Sequence, residues 1–341
     1  MKDLVIQLSA LNGVSSWEDE VRDFLCAEAA PYAQDVRTDA LGNLIVLKKG
    51  KKAAENKLLL CAHMDEVGLM VRHITDEGYL KFDTVGTIDR RVLLGKPVLI
   101  GAARLPGVIG LKAYHLVSRG EEKKVPKLDD YYIDIGAKNR EEAEKLVSLG
   151  DVAVFTTQPE LFGDGLLKGK ALDDRLGCAV LLTLLKEDLP MDCTFVFTAQ
   201  EEVGTRGAFG AAFSVTPELA LVVEGTTAAD LPDTEPHQQV CALGKGAVLT
   251  FMDRGSIADR GLFERLRALA EENRIPWQLK QFVSGSNDAS AIQRTKAGVR
   301  TAVLSVPVRY VHTPASVACI SDLDAVLALA RALIHDVAKE V

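Results

Sequence analysis

From Lys57 the chain reads Leu58-Leu59-Leu60-Cys61-Ala62, an apolar run with no polar alternation. A strand of that kind is suited to burial on both faces, and such strands belong to sheets covered by helices on either side. The run delivers His63 at its C-terminal end. After Lys170 the same architecture recurs as alternation: helix over Arg175–Lys186, strands over Thr194–Ala199 and Leu219–Glu224, helix over Leu262–Asn273, strand over Val299–Val306, and helix over Asp322–Val337. Alternation of this kind predicts an α/β fold with a mostly parallel sheet.

Two helices are expected to open the chain, over Lys2–Leu11 and Trp17–Ala29, with Ser16 and Asp19 spaced as a capping box. Val36–Lys48 carries a hairpin-like turn at Leu41-Gly42-Asn43. Between Val67 and Gly165 the pattern changes to short β-prone runs punctuated by glycine, with one helical stretch, Arg140–Leu149, after Asn139. Residues 67–165 therefore read as a small β-rich domain inserted into a larger α/β domain made of 1–66 and 166–341.

At 341 residues and 48% hydrophobic, the chain has material for two cores. Its net charge of -8 argues against a nucleic-acid or anionic-membrane surface. No apolar run approaches the roughly 18 residues of a membrane span, and Met1-Lys2-Asp3 leads into an amphipathic segment rather than a signal sequence, so the cytoplasm is expected. The six cysteines are dispersed without a CxxC pair, as buried, reduced thiols would be.

Open α/β sheets bind ligands beyond the carboxyl ends of their strands. His63 can ligate a metal there while Asp65 fixes its other ring nitrogen, although an isolated HxD also suits a structural histidine. Asp173 and Asp174 precede an apolar helix and are equally explained as N-capping groups. Glu201 and Glu202 follow a strand and can divide the roles of general base and ligand. Glu224 and His312 follow two further strands. Taken together, two histidines and several carboxylates make an oxygen and nitrogen donor set suited to a pair of divalent metals. A glycoside hydrolase would leave both histidines without a role, and no GxSxG elbow or Cys–His pairing motif supports a serine or cysteine nucleophile.

Four segments, Ala62–Gly68 (AHMDEVG), Lys170–Cys178 (KALDDRLGC), Ala199–Ala208 (AQEEVGTRGA) and Arg309–Val317 (RYVHTPASV), give the chain its resemblance to the tetrahedral aminopeptidases, a family of dinuclear zinc or cobalt metallopeptidases. The resemblance spans almost the whole sequence. It implies a three-layer, phosphorylase/hydrolase-like zinc-peptidase domain with an inserted PDZ-like β-barrel used for dimerisation, and dimers assembled into a tetrahedral dodecamer acting on peptides. It implies two divalent metal ions, zinc or cobalt, with Asp173 bridging, His63 and Glu224 completing one site, and Glu202 and His312 the other. Glu201 would be the general base and Asp65 the orienter of His63. Glu224 stands where many members have Asp, and Gly285-Ser286-Asn287-Asp288-Ala289 departs from the GGTDA of a typical member. A dinuclear carboxypeptidase or N-acyl amino-acid deacylase is the alternative, separable by peptides blocked at one terminus.

Overall fold

The structure is a computed structural model that describes residues 1–54 and 56–341. Helices α1 (Lys2–Ala10) and α2 (Asp19–Ala29) lead into the hairpin of β1 (Asp35–Thr38) and β2 (Leu44–Lys48), and then into β3 (Leu58–His63), every residue of which is buried. The capping box expected of Ser16 and Asp19 does not form. Glu18 is the N-cap residue of α2, and its carboxylate accepts the Ser16 N–H at 2.8 Å and the Gln200 N–H at 3.0 Å. A long-range contact has recruited the side chain that local spacing left out.

The insert then builds β4 (Gly68–Ile74), β5 (Leu80–Val85), β6 (Pro97–Ile100), β7 (Leu105–Gly110), β8 (Tyr132–Asp134), the short helix α3 (Arg140–Glu144) and β9 (Val152–Phe155). These strands close into a barrel in the order β4-β5-β8-β7-β6-β9, filled by its own core, which includes Leu69, Phe82, Ile133 and Phe155. Closure removes free strand edges from this small unit. Asn139 caps α3 by accepting the Glu142 N–H at 2.9 Å, but the helix stops at Glu144 rather than reaching Leu149.

The chain re-enters the large sheet with β10 (Glu160–Phe162), ahead of the boundary read at 165, because β10 pairs with β11 (Leu166–Gly169). There follow α4 (Leu172–Leu185), β12 (Cys193–Thr198), α5 (Arg206–Val215), β13 (Leu219–Thr227), β14 (Ala247–Thr250), α6 (Arg260–Glu272), β15 (Trp277–Leu279), α7 (Ala289–Ile292), β16 (Arg300–Arg309), β17 (Ser316–Cys319) and α8 (Ile320–Val337). The 11-stranded sheet runs β1-β2-β12-β3-β13-β16-β17-β11-β10, with β14 and β15 branching from β16. It is mixed: β12, β3, β13 and β16 are parallel, both flanks of the main path are antiparallel, and in the branch β14 runs antiparallel to β16 and parallel to β15. The expected parallel sheet is thus confined to the centre, where crossover helices connect the strands.

Alternate side chains of β3 enter two different cores. Leu58, Leu60 and Ala62 pack with residues of α4 and α8, whereas Leu59 and Cys61 pack with Ala208, Ala211 and Ala212 of α5 and Ile292 of α7. This explains the unbroken apolar run, since neither face of the strand meets water. Among the described residues no helix is long and apolar enough to cross a membrane.

Candidate metal centre

The four central strands point the same way, so their carboxyl ends share one rim. β3 and β13 hold Cys61 opposite Val222, and two more residues along each strand bring His63 level with Glu224 on one face. On its other side β3 holds His63 opposite Thr198, after which the chain turns out through Gln200, at a φ of 58°, to present Glu201 and Glu202. Asp173 and Asp174 open α4 with non-helical angles and a cis peptide bond between them. Only Asp174 is a capping group: its Oδ1 accepts the Gly177 N–H at 2.8 Å and its Oδ2 the His63 N–H at 3.3 Å. An alanine Cβ at Gly177 would lie 2.3 Å from that carboxylate, so glycine is required there. Asp173 is left to face the rim.

The ring of His63 is buried, and its Nδ1 lies 3.1 Å from the Asp65 carbonyl and 3.4 Å from Asp65 Oδ1. Both are acceptors, so Nδ1 carries the proton. Nε2 then offers a lone pair to Asp173 Oδ1 at 3.3 Å, and two acceptors at that separation need a proton or a cation between them. His312 Nε2 lies 3.0 Å from Glu202 Oε2 and 3.7 Å from Asp173 Oδ2, so Asp173 stands between the two histidines. His63, Asp173 and Glu202 each place a ligand atom within 4.8 Å of the others. Glu224 is buried, and its Oε2 has no hydrogen-bond partner.

These groups hold unusual proton affinities. Burial drives the carboxyls of Glu224, Glu201 and Glu202 above their ordinary range, with further contributions from one another's charge at Glu224 and Glu201. Burial opposes the charged form of His312, yet the hydrogen bond and charge of Glu202 hold it up at about 9. Burial likewise works against Asp65 as an anion, but His63, Ser15 and the Glu201 N–H keep its carboxyl below the usual value. Buried, clustered carboxylates with raised proton affinity are a donor set from which a divalent cation displaces protons. The residues therefore fit a metal.

The site opens into a cavity of about 510 Å³ lined by Asp173, Glu201, Glu202, Glu224 and His312, and further out by Arg254, Lys280 and the Ser284–Asn287 loop. Five of the six residues read as ligands or base from the sequence thus line one space, His63 meets it through Asp173, and Asp65 sits behind His63.

A family model described as M42 glutamyl aminopeptidase matches residues 42–329. The chain belongs to the M42 peptidase family. A curated relative, a putative aminopeptidase of Acetivibrio thermocellus, is 40% identical over 326 residues, covering 95% of each chain. The lysyl aminopeptidase of Pyrococcus furiosus is 31% identical over 95% of this chain and 94% of its own length. A solved structure of the Pyrococcus horikoshii TET1 peptidase, which assembles into a tetrahedron or a large octahedral shell, superimposes with a TM-score of 0.87 at 35% identity, covering 97% of this chain and 98% of that one. The M42 chain is accordingly a hydrolytic exopeptidase of the aminopeptidase type.

Several residues that shape the M42 site were silent in the sequence. Ser15 donates to Asp65 Oδ2 at 2.6 Å from 50 positions away. Glu66, Lys170 and Arg175 form a buried ionic cluster behind the rim: Lys170 Nζ donates to Glu66 Oε1 at 2.6 Å, and Arg175 donates to the carbonyls of Met64 at 3.0 Å and Leu8 at 2.6 Å. The cluster ties α1, the end of β3 and the start of α4 together. Its only sequence trace was the presence of Glu66, Lys170 and Arg175 inside the matched segments.

Proposed function

We propose that the chain is a two-metal aminopeptidase in which Glu201 is the general base, His63, Asp173, Glu202, Glu224 and His312 hold two divalent ions, and Asp173 bridges them. The observation that carries this reading is the position of Asp173 between His63 and His312, one imidazole facing each carboxylate oxygen. Zinc or cobalt suits the mixed imidazole and carboxylate donors. Bound there, the metals would supply Lewis acidity toward the scissile carbonyl and a lowered pKa for the attacking water.

The protein's own part follows from its side chains. Glu201 takes a proton from the attacking water and returns it to the amine that leaves. Burial raises the proton affinity of that carboxyl above the ordinary glutamate range. Asp65 keeps the Nδ1 proton of His63 in place, so that Nε2 remains a donor of electrons. The free α-amine of the substrate would be held at the metal centre or by a nearby carboxylate, which confines cleavage to the first residue.

The same reading covers assembly and setting. We take the unit built on the 11-stranded sheet as a three-layer zinc-peptidase domain and the β4–β9 insert as a PDZ-like dimerisation barrel, from which a tetrahedral dodecamer is built. Helical cores on both faces of the sheet support the first assignment. Tyr114 and Leu116, 77% and 60% exposed on the insert, support the second. Six free cysteines support a reducing compartment, the cytoplasm.

The test is hydrolysis of amino-acid p-nitroanilides by chelator-stripped protein before and after zinc, cobalt or manganese is added, with metal content followed in parallel. Metal-restored cleavage of unblocked substrates, with N-acetylated peptides untouched, is expected. Turnover of the acetylated peptides would sink the exopeptidase reading in favour of a deacylase or carboxypeptidase. Light scattering tests the shell, and a persistent monomer rejects it.

A further inference from the structure

The barrel insert meets the large domain through two glycines at one of its ends. Gly68 opens β4 and is paired with Val85 at the end of β5, so Gly86, the next residue, leaves the barrel at that same end. A Cβ at Gly68 would lie 2.4 Å from Val14 Cγ2, and Val14 belongs to the segment between α1 and α2. A Cβ at Gly86 would lie 2.8 Å from Val67 Cγ1, 3.3 Å from Glu202 Cβ and 3.4 Å from the Glu202 carbonyl oxygen. The turn after β5 therefore rests directly on a residue of the acidic rim. With a φ of 79°, Gly86 occupies the left-handed region, where any side chain is strained as well as crowded.

Glu202 has little room to yield. Its N–H donates to Asp65 Oδ2 at 3.0 Å, its Oε2 faces His312 Nε2 at 3.0 Å, and its side chain is 4% exposed. Gly86 closes a third side, against the Cβ and the carbonyl. Thr87, the next residue of the same turn, lines the cavity together with Asp173, Glu201 and Glu202. Val67, just before β4, and Phe155 of β9 line a crevice that also reaches Glu202 and His312. The insert thus borders the rim on two walls. A displacement of the turn after β5 passes to Glu202, because close-packed atoms have no slack to absorb it.

We infer that Gly86 is a positioning residue of the metal centre: the turn of the insert after β5 seats Glu202, so that its carboxylate is aimed at the ion it shares with His312. The inference rests on the two-metal reading and gives the insert a part in the site that is separate from assembly. A side chain at position 86 pushes on the Cβ of Glu202, and with the N–H of Glu202 tied to Asp65 the displacement falls on the carboxylate. His63 and Glu224, the ligands assigned to the other ion, stand on β3 and β13 and are not among the atoms that this side chain would meet. The signature of the seat is therefore selective weakening of one ion of the pair.

The experiment titrates zinc into the chelator-stripped full chain in competition with a chromophoric chelator, comparing wild type, Gly86→Ala and Gly95→Ala. Gly95 is the control for backbone strain, since it belongs to the same insert with a φ of 74° and a Cβ there would meet nothing within 4 Å. Gly86→Ala is expected to weaken one ion by about 10- to 100-fold, as losing a group that orients a ligand does, and to leave the other within about threefold. Gly95→Ala should leave both ions within about threefold of wild type. Should Gly86→Ala fail to fold, Val67→Ala/Gly86→Ala, which removes the shortest contact, carries the test and is read in the same way. Wild-type affinity for both ions, equal weakening of both, or the same loss in Gly95→Ala overturns the inference while leaving the two-metal reading intact. A wild type that binds a single ion, weakened by Gly86→Ala and not by Gly95→Ala, supports the seat on Glu202 and rejects the two-metal reading. A wild type that binds no zinc rejects both.

Discussion

Asp65 Oδ1 accepts the backbone N–H of Glu201 at 3.0 Å, so the carboxylate behind His63 also holds the residue proposed as base. Its Oδ2 accepts the Glu202 N–H at 3.0 Å. One side chain therefore sets the imidazole and the turn that carries two site carboxylates. Asp65→Asn supplies one carbonyl oxygen where two are used and points an NH₂ at a backbone donor. We expect it to lower metal affinity or activity about 10- to 100-fold. Ser15→Ala removes one donor to the same carboxylate and should cost less; metal titration and kcat on both variants check the order, and an equal or reversed loss rejects this role for Asp65.

Glu201→Gln keeps the shape of the side chain and removes its ability to take a proton. A fall in kcat of about 10²- to 10⁴-fold is expected, with metal content unchanged because the ligands are untouched. Activity close to wild type would assign the base elsewhere.

Lys170→Met leaves the Glu66 carboxylate buried with Arg175 Nη2 at 3.4 Å as its remaining cation. Breaking a buried pair in this way costs about 3–5 kcal/mol, and replacing both partners costs less than the more damaging single change. Urea unfolding of Lys170→Met, Glu66→Gln and the double variant measures it. A double variant no more stable than the worse single variant would contradict the pairing.

Asp288 is buried, accepts a hydrogen bond from Thr198 Oγ1, and has an Oδ1 without a partner. Burial holds its carboxyl up at about 6. An unfolded aspartate titrates near ~3.9, so between these values the folded chain binds a proton that the unfolded chain has released. Stability therefore falls as pH rises through this window, and the loss is complete above it. Asp288→Asn keeps an acceptor for Thr198 and removes the charged form. In chelator-treated protein it should gain on the order of 2 kcal/mol at pH 8 and little near pH 3.5. Melting curves at the two pH values decide, and a gain independent of pH would show that ionisation of Asp288 is not its source.

Helix α5 shows where local reading failed. Gly207 and Gly210 depress helix propensity over Arg206–Val215, yet the helix forms because Ala208, Ala211 and Ala212 pack against the sheet. Small residues permit that close approach: a Cβ at Gly207 would lie 2.1 Å from Asn43 Oδ1. β14 and β15 were missed for a related reason, being short strands whose pairing partners are far away in sequence.

Features set by neighbouring residues were decided by the sequence alone. The unbroken run before His63 dictates a strand buried on both faces, and strand–helix alternation places Glu201, Glu202 and His312 after strands, whereas Glu224, expected at a strand end, lies inside β13 because pairing with β16 carries that strand on to Thr227. Ordered motifs around these residues point to the family. What only the tertiary structure decided is everything carried by pairs far apart in the chain: Asp173 standing between His63 and His312, Ser15 on Asp65, and Asp65 on the Glu201 N–H. Spacing and periodicity govern backbone conformation over a few residues. Distances between side chains a hundred positions apart are fixed by how the sheet and helices pack, and the chemistry of the site depends on those distances.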